Sequence, residues 1–151
     1  MIAIVQRVRS ASVVVEGQTV GAMDRGLLVL LGVHRLDTER EEAWIADRLA
    51  KLRIFTDADG KMNLSMAQVD GACLVVPNFT LCADASRGAR PSFSDAMEPA
   101  RAKAMWQSVC RRIAATGIRV ERGEFGAAML VSLENDGPVT IIIDSARMPE
   151  R

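Results

Sequence analysis

Gly26-Leu27-Leu28-Val29-Leu30-Leu31-Gly32-Val33 is an unbroken apolar run bounded by glycine. A strand with one wet face alternates apolar and polar residues. A run without that alternation predicts a strand covered on both faces, as in layered α/β proteins. Just downstream, Thr38 and Glu41 form a capping box, which opens a helix with Ile45, Leu49 and Leu52 at helical spacing. Upstream, Ile2 to Val8 follows a period-2 strand pattern and Ala11 to Glu16 continues as a second strand. Gly17-Gln18 then offers a turn before Thr19-Val20.

Further along, Ile54-Phe55-Thr56 reads as a short strand and Asp57-Ala58-Asp59-Gly60 as a turn. Ala72 to Val76 reads as a buried strand ending at Pro77, followed by a polar, arginine-bearing loop from Asp84 to about Ser94. Pro99 marks a helix start, Met105, Trp106, Val109 and Ile113 form one face, and Gly117 closes it as a C′ glycine. Strands near Ile118–Glu121, Ala128–Leu133 and Val139–Ile143 finish the chain. There is no repeat, linker or low-complexity segment. The expectation is one α/β domain over residues 1–151, a compact layered unit of mixed β-sheet with two main helices.

Composition narrows the function. With 49% hydrophobic and 25% charged residues, the chain has the makings of a globular core. Lys+Arg and Asp+Glu are both 19, and this zero net charge argues against broad nucleic-acid binding, DNA included. Contact with one end of an RNA remains open through the pairs Arg7 and Arg9, Arg87 and Arg90, or Arg111 and Arg112. Each pair also reads as plain surface charge. Cys73, Cys82 and Cys110 lack CxxC spacing and suit reduced thiols, with Cys73 and Cys110 in the core. No signal-peptide pattern and no run of the roughly 18 apolar residues of a membrane span occurs. A cytoplasmic protein without a membrane partner is expected.

The residue inventory removes several chemistries. His34 is the only histidine, and no G-x-S-x-G elbow accompanies it, so a serine triad has no support. Cys and His at zinc-ligand spacing are absent, and no metal is expected. Asp57-x-Asp59-Gly60 resembles a calcium-loop opening, but Met62 and Gln68 stand where that loop needs Gly and Glu. No phosphate-binding glycine loop is present, and no cofactor is expected. Catalysis in such a chain must lean on backbone groups or on the substrate, since backbone N–H groups alone can form an oxyanion hole.

One segment stands out for its backbone. Asn135-Asp136-Gly137-Pro138-Val139-Thr140 places a Gly-Pro pair between strand-like runs. Glycine permits unusual backbone angles and proline removes a donor, so the pair can aim carbonyl oxygens in unusual directions. Alone, it reads as an ordinary turn.

Taken in order, Val5-Gln6-Arg7-Val8, the Gly26–Val33 run, Leu52-Arg53-Ile54-Phe55, Gly60-Lys61-Met62-Asn63-Leu64-Ser65, Arg90-Pro91-Ser92-Phe93 and Asn135–Thr140 resemble the D-aminoacyl-tRNA deacylases. The resemblance implies hydrolysis of the ester joining a D-amino acid, or mischarged glycine, to the terminal adenosine of tRNA. It also implies a homodimer whose strands meet across the interface, each Gly-cisPro entering the neighbour's site. Gly137 and Pro138 would then be a chiral gate built by rejection, braced by Arg7. Phe125 and Met129 match pocket-wall positions for the adenosine, though as core residues they would look the same.

The family motif Ser-Gln-Phe-Thr-Leu stands here as Pro77-Asn78-Phe79-Thr80-Leu81. Phe79, Thr80 and Leu81 match, whereas Pro77 loses a hydroxyl and an N–H and Asn78 is one methylene short. The resemblance assigns catalysis to main-chain amides around Phe79 and to the tRNA's own 2′-hydroxyl; Asn78 stays a catalytic candidate, and Thr80, with no histidine spaced to activate it, is taken as positioning. Two alternatives follow from Pro77-Asn78. One is a module that binds the aminoacyl-tRNA acceptor end without turnover, and the other is a proofreading deacylase of relaxed chirality.

Overall fold

The computed structural model describes residues 1–86 and 88–149. Its elements are β1 (Ile2–Val15), β2 (Gln18–Met23), β3 (Gly26–Gly32), α1 (Glu39–Lys51), β4 (Arg53–Thr56), β5 (Met62–Ser65), β6 (Ala72–Pro77), α2 (Pro99–Ala114), β7 (Arg119–Arg122) and β8 (Leu130–Asp144). The apolar run explains how they assemble. Leu27, Val29 and Leu31 of β3 join the core beneath the helices, with Val5, Val75, Ile45, Leu49, Trp106 and Val109. Leu28 joins a second core with Val8, Val13, Leu74 and Val76. A strand serving two cores has no polar face, so its sequence cannot alternate.

The sheet is mixed. β3 runs antiparallel to the first half of β1 and parallel to β6, and β6 runs parallel to β7. The second half of β1 pairs with β2. Across the curl, a Cβ at Gly21 of β2 would lie 2.4 Å from the Arg122 carbonyl oxygen of β7, so the sheet nearly closes on itself. The expected α/β architecture with two main helices is the one present. No described helix is long and apolar enough to cross a membrane.

Local signals worked where they specified a hydrogen bond. Thr38 and Glu41 make the capping box of α1, and Leu52 lies just past its last residue as the C-cap. Asp57 Oδ1 accepts from the amides of Asp59 and Lys61, both at 2.9 Å, so this segment is the β4–β5 turn. The Lys61 amide foremost holds the Asp57 carboxyl below its usual range. Two expectations are corrected. Gly117 sits one position beyond C′, because Ala115 is the C-cap of α2 and Thr116 intervenes. The stretches Ile2–Val8 with Ala11–Glu16, and Ala128–Leu133 with Val139–Ile143, are single long strands, β1 and β8. They hold each other straight along an antiparallel ladder from Ile2↔Asp144 to Val14↔Leu130.

All three cysteines are buried and free. Burial pushes the Cys73 and Cys82 thiols up, and the Cys110 thiol to about 11. Thiolate is the reactive form, so at pH 7.5 these groups stand protonated, below their raised pKa values. Iodoacetamide at that pH should therefore leave the folded protein unmodified and label all three cysteines after denaturation. Mass spectrometry checks both states, and rapid labelling of the native chain would contradict the packing.

Candidate active site

Where β6 ends at Pro77, the chain turns back under β3. The Asn78 amide donates to the Leu31 carbonyl at 2.8 Å, and Phe79–Cys82 forms a 3-10 turn. Phe79 and Thr80 open that turn, so their N–H groups have no earlier turn carbonyl to bond. The approach is possible because residue 32 is glycine. A Cβ there would lie 2.9 Å from Leu81 Cβ, 3.0 Å from the Asn78 carbonyl oxygen and 3.3 Å from Cys82 Sγ.

Two cavities meet at this turn. One, about 280 Å³, is walled by Leu31, Val33, Met97, Pro99, Trp106 and Phe125. The other, about 410 Å³, is walled by Leu28, Val76, Met129, Val131 and Leu133. Pro77, Asn78, Phe79 and Gly126 border both. Together they fall in the usual size range of small-ligand sites, roughly 300–1,000 Å³. Among the described residues, no lining side chain in either cavity is ionisable.

The structure thus brings Asn78, Phe79, Phe125 and Met129 to one place. Phe125 packs on Trp106 with ring centroids 6.0 Å apart, and Met129 Sδ accepts from the Glu124 amide at 3.3 Å. Phe79 stands edge-on to Phe93, centroids 5.1 Å apart, which ties the Asp84–Ser92 loop to the rim. Thr80 does not wall the cavities. Its hydroxyl donates to Asn78 Oδ1 at 2.5 Å, and an amide oxygen is too weak a base to activate it. His34 is also absent from the walls, and its Nδ1 accepts from the Leu36 amide at 3.3 Å.

Gly137 and Pro138 line neither cavity. Their peptide bond is cis, and they lie at the tip of a bulge in β8. The β1–β8 register passes from Gln6↔Thr140 to Val8↔Asn135, so Arg7 alone stands opposite Asp136 through Val139. Arg7 is buried and holds the bulge from below. Its Nε donates to the Asp136 carbonyl at 2.9 Å and its Nη1 to the Ile54 carbonyl at 2.6 Å. Arg9 also turns to Asp136, at 3.4 Å. The Arg7–Arg9 pair is therefore not an open basic patch. Arg112 is paired with Glu42 at 2.8 Å, and Arg87 lies outside the described residues.

Sequence reasoning missed Leu31, Met97 and Trp106 as cavity walls, because each looks like any core residue. It also missed Asn135, whose side chain closes the bulge. Asn135 had a signal, since asparagine readily pairs with nearby backbone.

The geometry defines a small apolar site edged by main-chain groups. The family model for D-Tyr-tRNA(Tyr) deacylase matches residues 4–144. A D-aminoacyl-tRNA deacylase from Anaeromyxobacter dehalogenans is 55% identical over 98% of this chain and 99% of its own. One from Thermotoga petrophila is 51% identical over the same shares. The solved structure of the c-Myc DNA Unwinding Element Binding Protein is 38% identical, with TM-score 0.90 over 96% of this chain and 99% of that one. A probable eukaryotic D-amino acid tRNA deacylase, 18% identical, shares the fold with TM-score 0.78 over 94% and 97%. The chain belongs to the D-aminoacyl-tRNA deacylase family of hydrolases.

The glycine beneath the turn gives a direct test of the site. Gly32→Ala should lower esterase activity roughly 10- to 100-fold, since a displacement of about 1 Å can cost 100-fold. A cooperative thermal transition should survive. Full activity in the folded variant would remove the turn from the site.

Proposed function

We propose that the protein hydrolyses the ester between a D-amino acid, or glycine, and the terminal adenosine of tRNA, and rejects L-aminoacyl-tRNA. The observation that carries this is an apolar cavity of small-ligand size, in a member of this family, with no ionisable wall among the described residues and the Phe79–Cys82 turn at its rim. The adenosine lies between Phe125 and Met129. The ester carbonyl sits at Phe79, whose N–H receives the developing oxyanion.

Water attacks the carbonyl carbon and the C–O bond to the ribose breaks. The leaving oxygen takes up a proton, which yields free amino acid and tRNA. With no general base in the walls, the neighbouring ribose hydroxyl orients the water. The reaction needs neither metal nor cofactor, and the proposed setting is the cytoplasm.

Gly137 and Pro138 form the gate, with carbonyls placed where an L side chain would enter. They lie outside their own chain's cavities, so the site they serve belongs to a second copy. β8 supports that reading. Among the described residues it is paired on one edge only, by β1, and it exposes Leu130 by 68%, Ile142 by 63% and Leu133 by 39%. A long strand with a free edge and apolar surface is a ready association surface. Leu133 and Val131 also wall the second cavity. A two-fold contact centred near Glu134 would bring one copy's Gly137–Pro138 tip against the other copy's Val131–Leu133 wall.

The test compares D-tyrosyl-, L-tyrosyl- and glycyl-tRNA, with and without a metal chelator. Hydrolysis of the D and glycyl esters, sparing the L ester and insensitive to chelation, is expected. Equal hydrolysis of D and L would remove the gate. Tight binding of the D ester with no cleavage over hours would make the protein an acceptor-end binding module.

A further inference from the structure

The bulge that carries Gly137 and Pro138 sets four residues of β8 against one of β1, and such a mismatch leaves backbone groups without ladder partners. Asn135 supplies them. Its Oδ1 accepts from the Val139 amide at 2.8 Å, and its Nδ2 donates to the Val139 carbonyl at 3.2 Å. A side-chain amide has the same donor and acceptor as a peptide group, so it stands in for the missing strand at Val139. Nδ2 also lies 3.3 Å from Thr140 Oγ1, where Gln6 Nε2 arrives from β1 at 3.4 Å. The base of the bulge is therefore cross-tied above by Asn135 and below by Arg7. Only the exposed tip is left to project.

We propose that Asn135 is a positioning residue for stereoselectivity: by pairing with both backbone groups of Val139, its side chain fixes the direction of the Gly137–Pro138 tip. This rests on the gate reading above. Arg7 fixes how far the bulge stands off β1. Asn135 fixes how the bulge is rotated, because a two-point contact on one residue removes the freedom a single hydrogen bond leaves. Rotation of the tip decides where its carbonyls point, and so which enantiomer they exclude.

Three variants test it in single-turnover assays with D- and L-tyrosyl-tRNA, alongside Pro138→Ala and thermal melts. Asn135→Ala removes both bonds and should lower the D-to-L rate ratio at least tenfold, mainly by raising the L rate. Thr140→Val leaves the Val139 pairing intact and should lower the ratio less. Asn135→Asp keeps the acceptor but sets a carboxylate against the Val139 carbonyl. Protonated, it again offers one donor and one acceptor, so its ratio should be higher at pH 4.5 than at pH 7.5, relative to the unaltered protein at each pH. A purely structural residue would lower both rates together and show no such pH dependence. That outcome overturns the proposal, as does an unchanged ratio in Asn135→Ala while Pro138→Ala alters it. If Pro138→Ala also leaves the ratio unchanged, the gate reading itself fails.

Discussion

Gly137→Ala is expected to lower deacylation of D-tyrosyl-tRNA about 100-fold and to erode discrimination against the L ester. The reason is steric. A Cβ on residue 137 would lie 2.6 Å from the Val139 amide nitrogen and 2.7 Å from Val139 Cγ2. The first of these is a backbone atom held by Asn135, so it cannot swing aside as a side-chain tip would. The loop must move instead, and the carbonyls flanking Pro138 move with it. Residues 137 and 138 are exposed at the tip of the bulge, so the strain falls on the loop and a cooperative thermal transition should survive. Rates for both enantiomers within about threefold of the unaltered protein would place the gate elsewhere.

Mixing two crippled variants should restore activity. Each proposed site combines one chain's turn with the other chain's tip. Gly137→Ala retains a sound cavity, and Gly32→Ala retains a sound tip. In the mixed dimer, one of two sites is then whole. Random reassortment makes half of the dimers mixed, so recovery should approach about a quarter of full activity. Adding Ile142→Asp to both chains places a carboxylate on the exposed apolar face of β8 and should abolish the recovery. Sedimentation should show monomers in that case. No recovery on mixing, with mixed dimers demonstrated by mass, would mean that each chain gates its own cavity.

How much of this could be read from the letters depended on what held each element. Thr38 with Glu41 and Asp57 with Gly60 specify their own local hydrogen bonds, Pro99 brings a φ already set for a first helical turn, and each stands where expected. The run through Leu27–Leu31 was legible because burial on both faces leaves a compositional mark. The continuity of β1 and β8 was not legible. Arg9-Ser10 and Asn135–Pro138 look like breaks when read along the chain, and they are bridged only because each strand lies on the other. The site was legible in part. Phe79, Phe125 and Met129 came from a resemblance, whereas Trp106 and Met97 became walls only once α2 packed beside β3. Gly32 gave no warning, because its role lies in an approach from a turn 46 or more residues downstream.

Peptide groups cannot be mutated away. If the chemistry rests on main-chain amides as proposed, the cavity is shielded from ordinary substitution, and Pro77-Asn78 is where that shielding would count. Pro77 keeps its carbonyl in line with β6, and Asn78 still delivers its amide to Leu31, whatever side chains they carry. What such a site does not tolerate is a change in the path of the chain. Insertions near residues 78–82, or bulk beneath the turn, would do what replacing a catalytic letter does elsewhere. On that proposal, a relative that has lost familiar motif letters is better recognised by the course of its backbone than by its side chains.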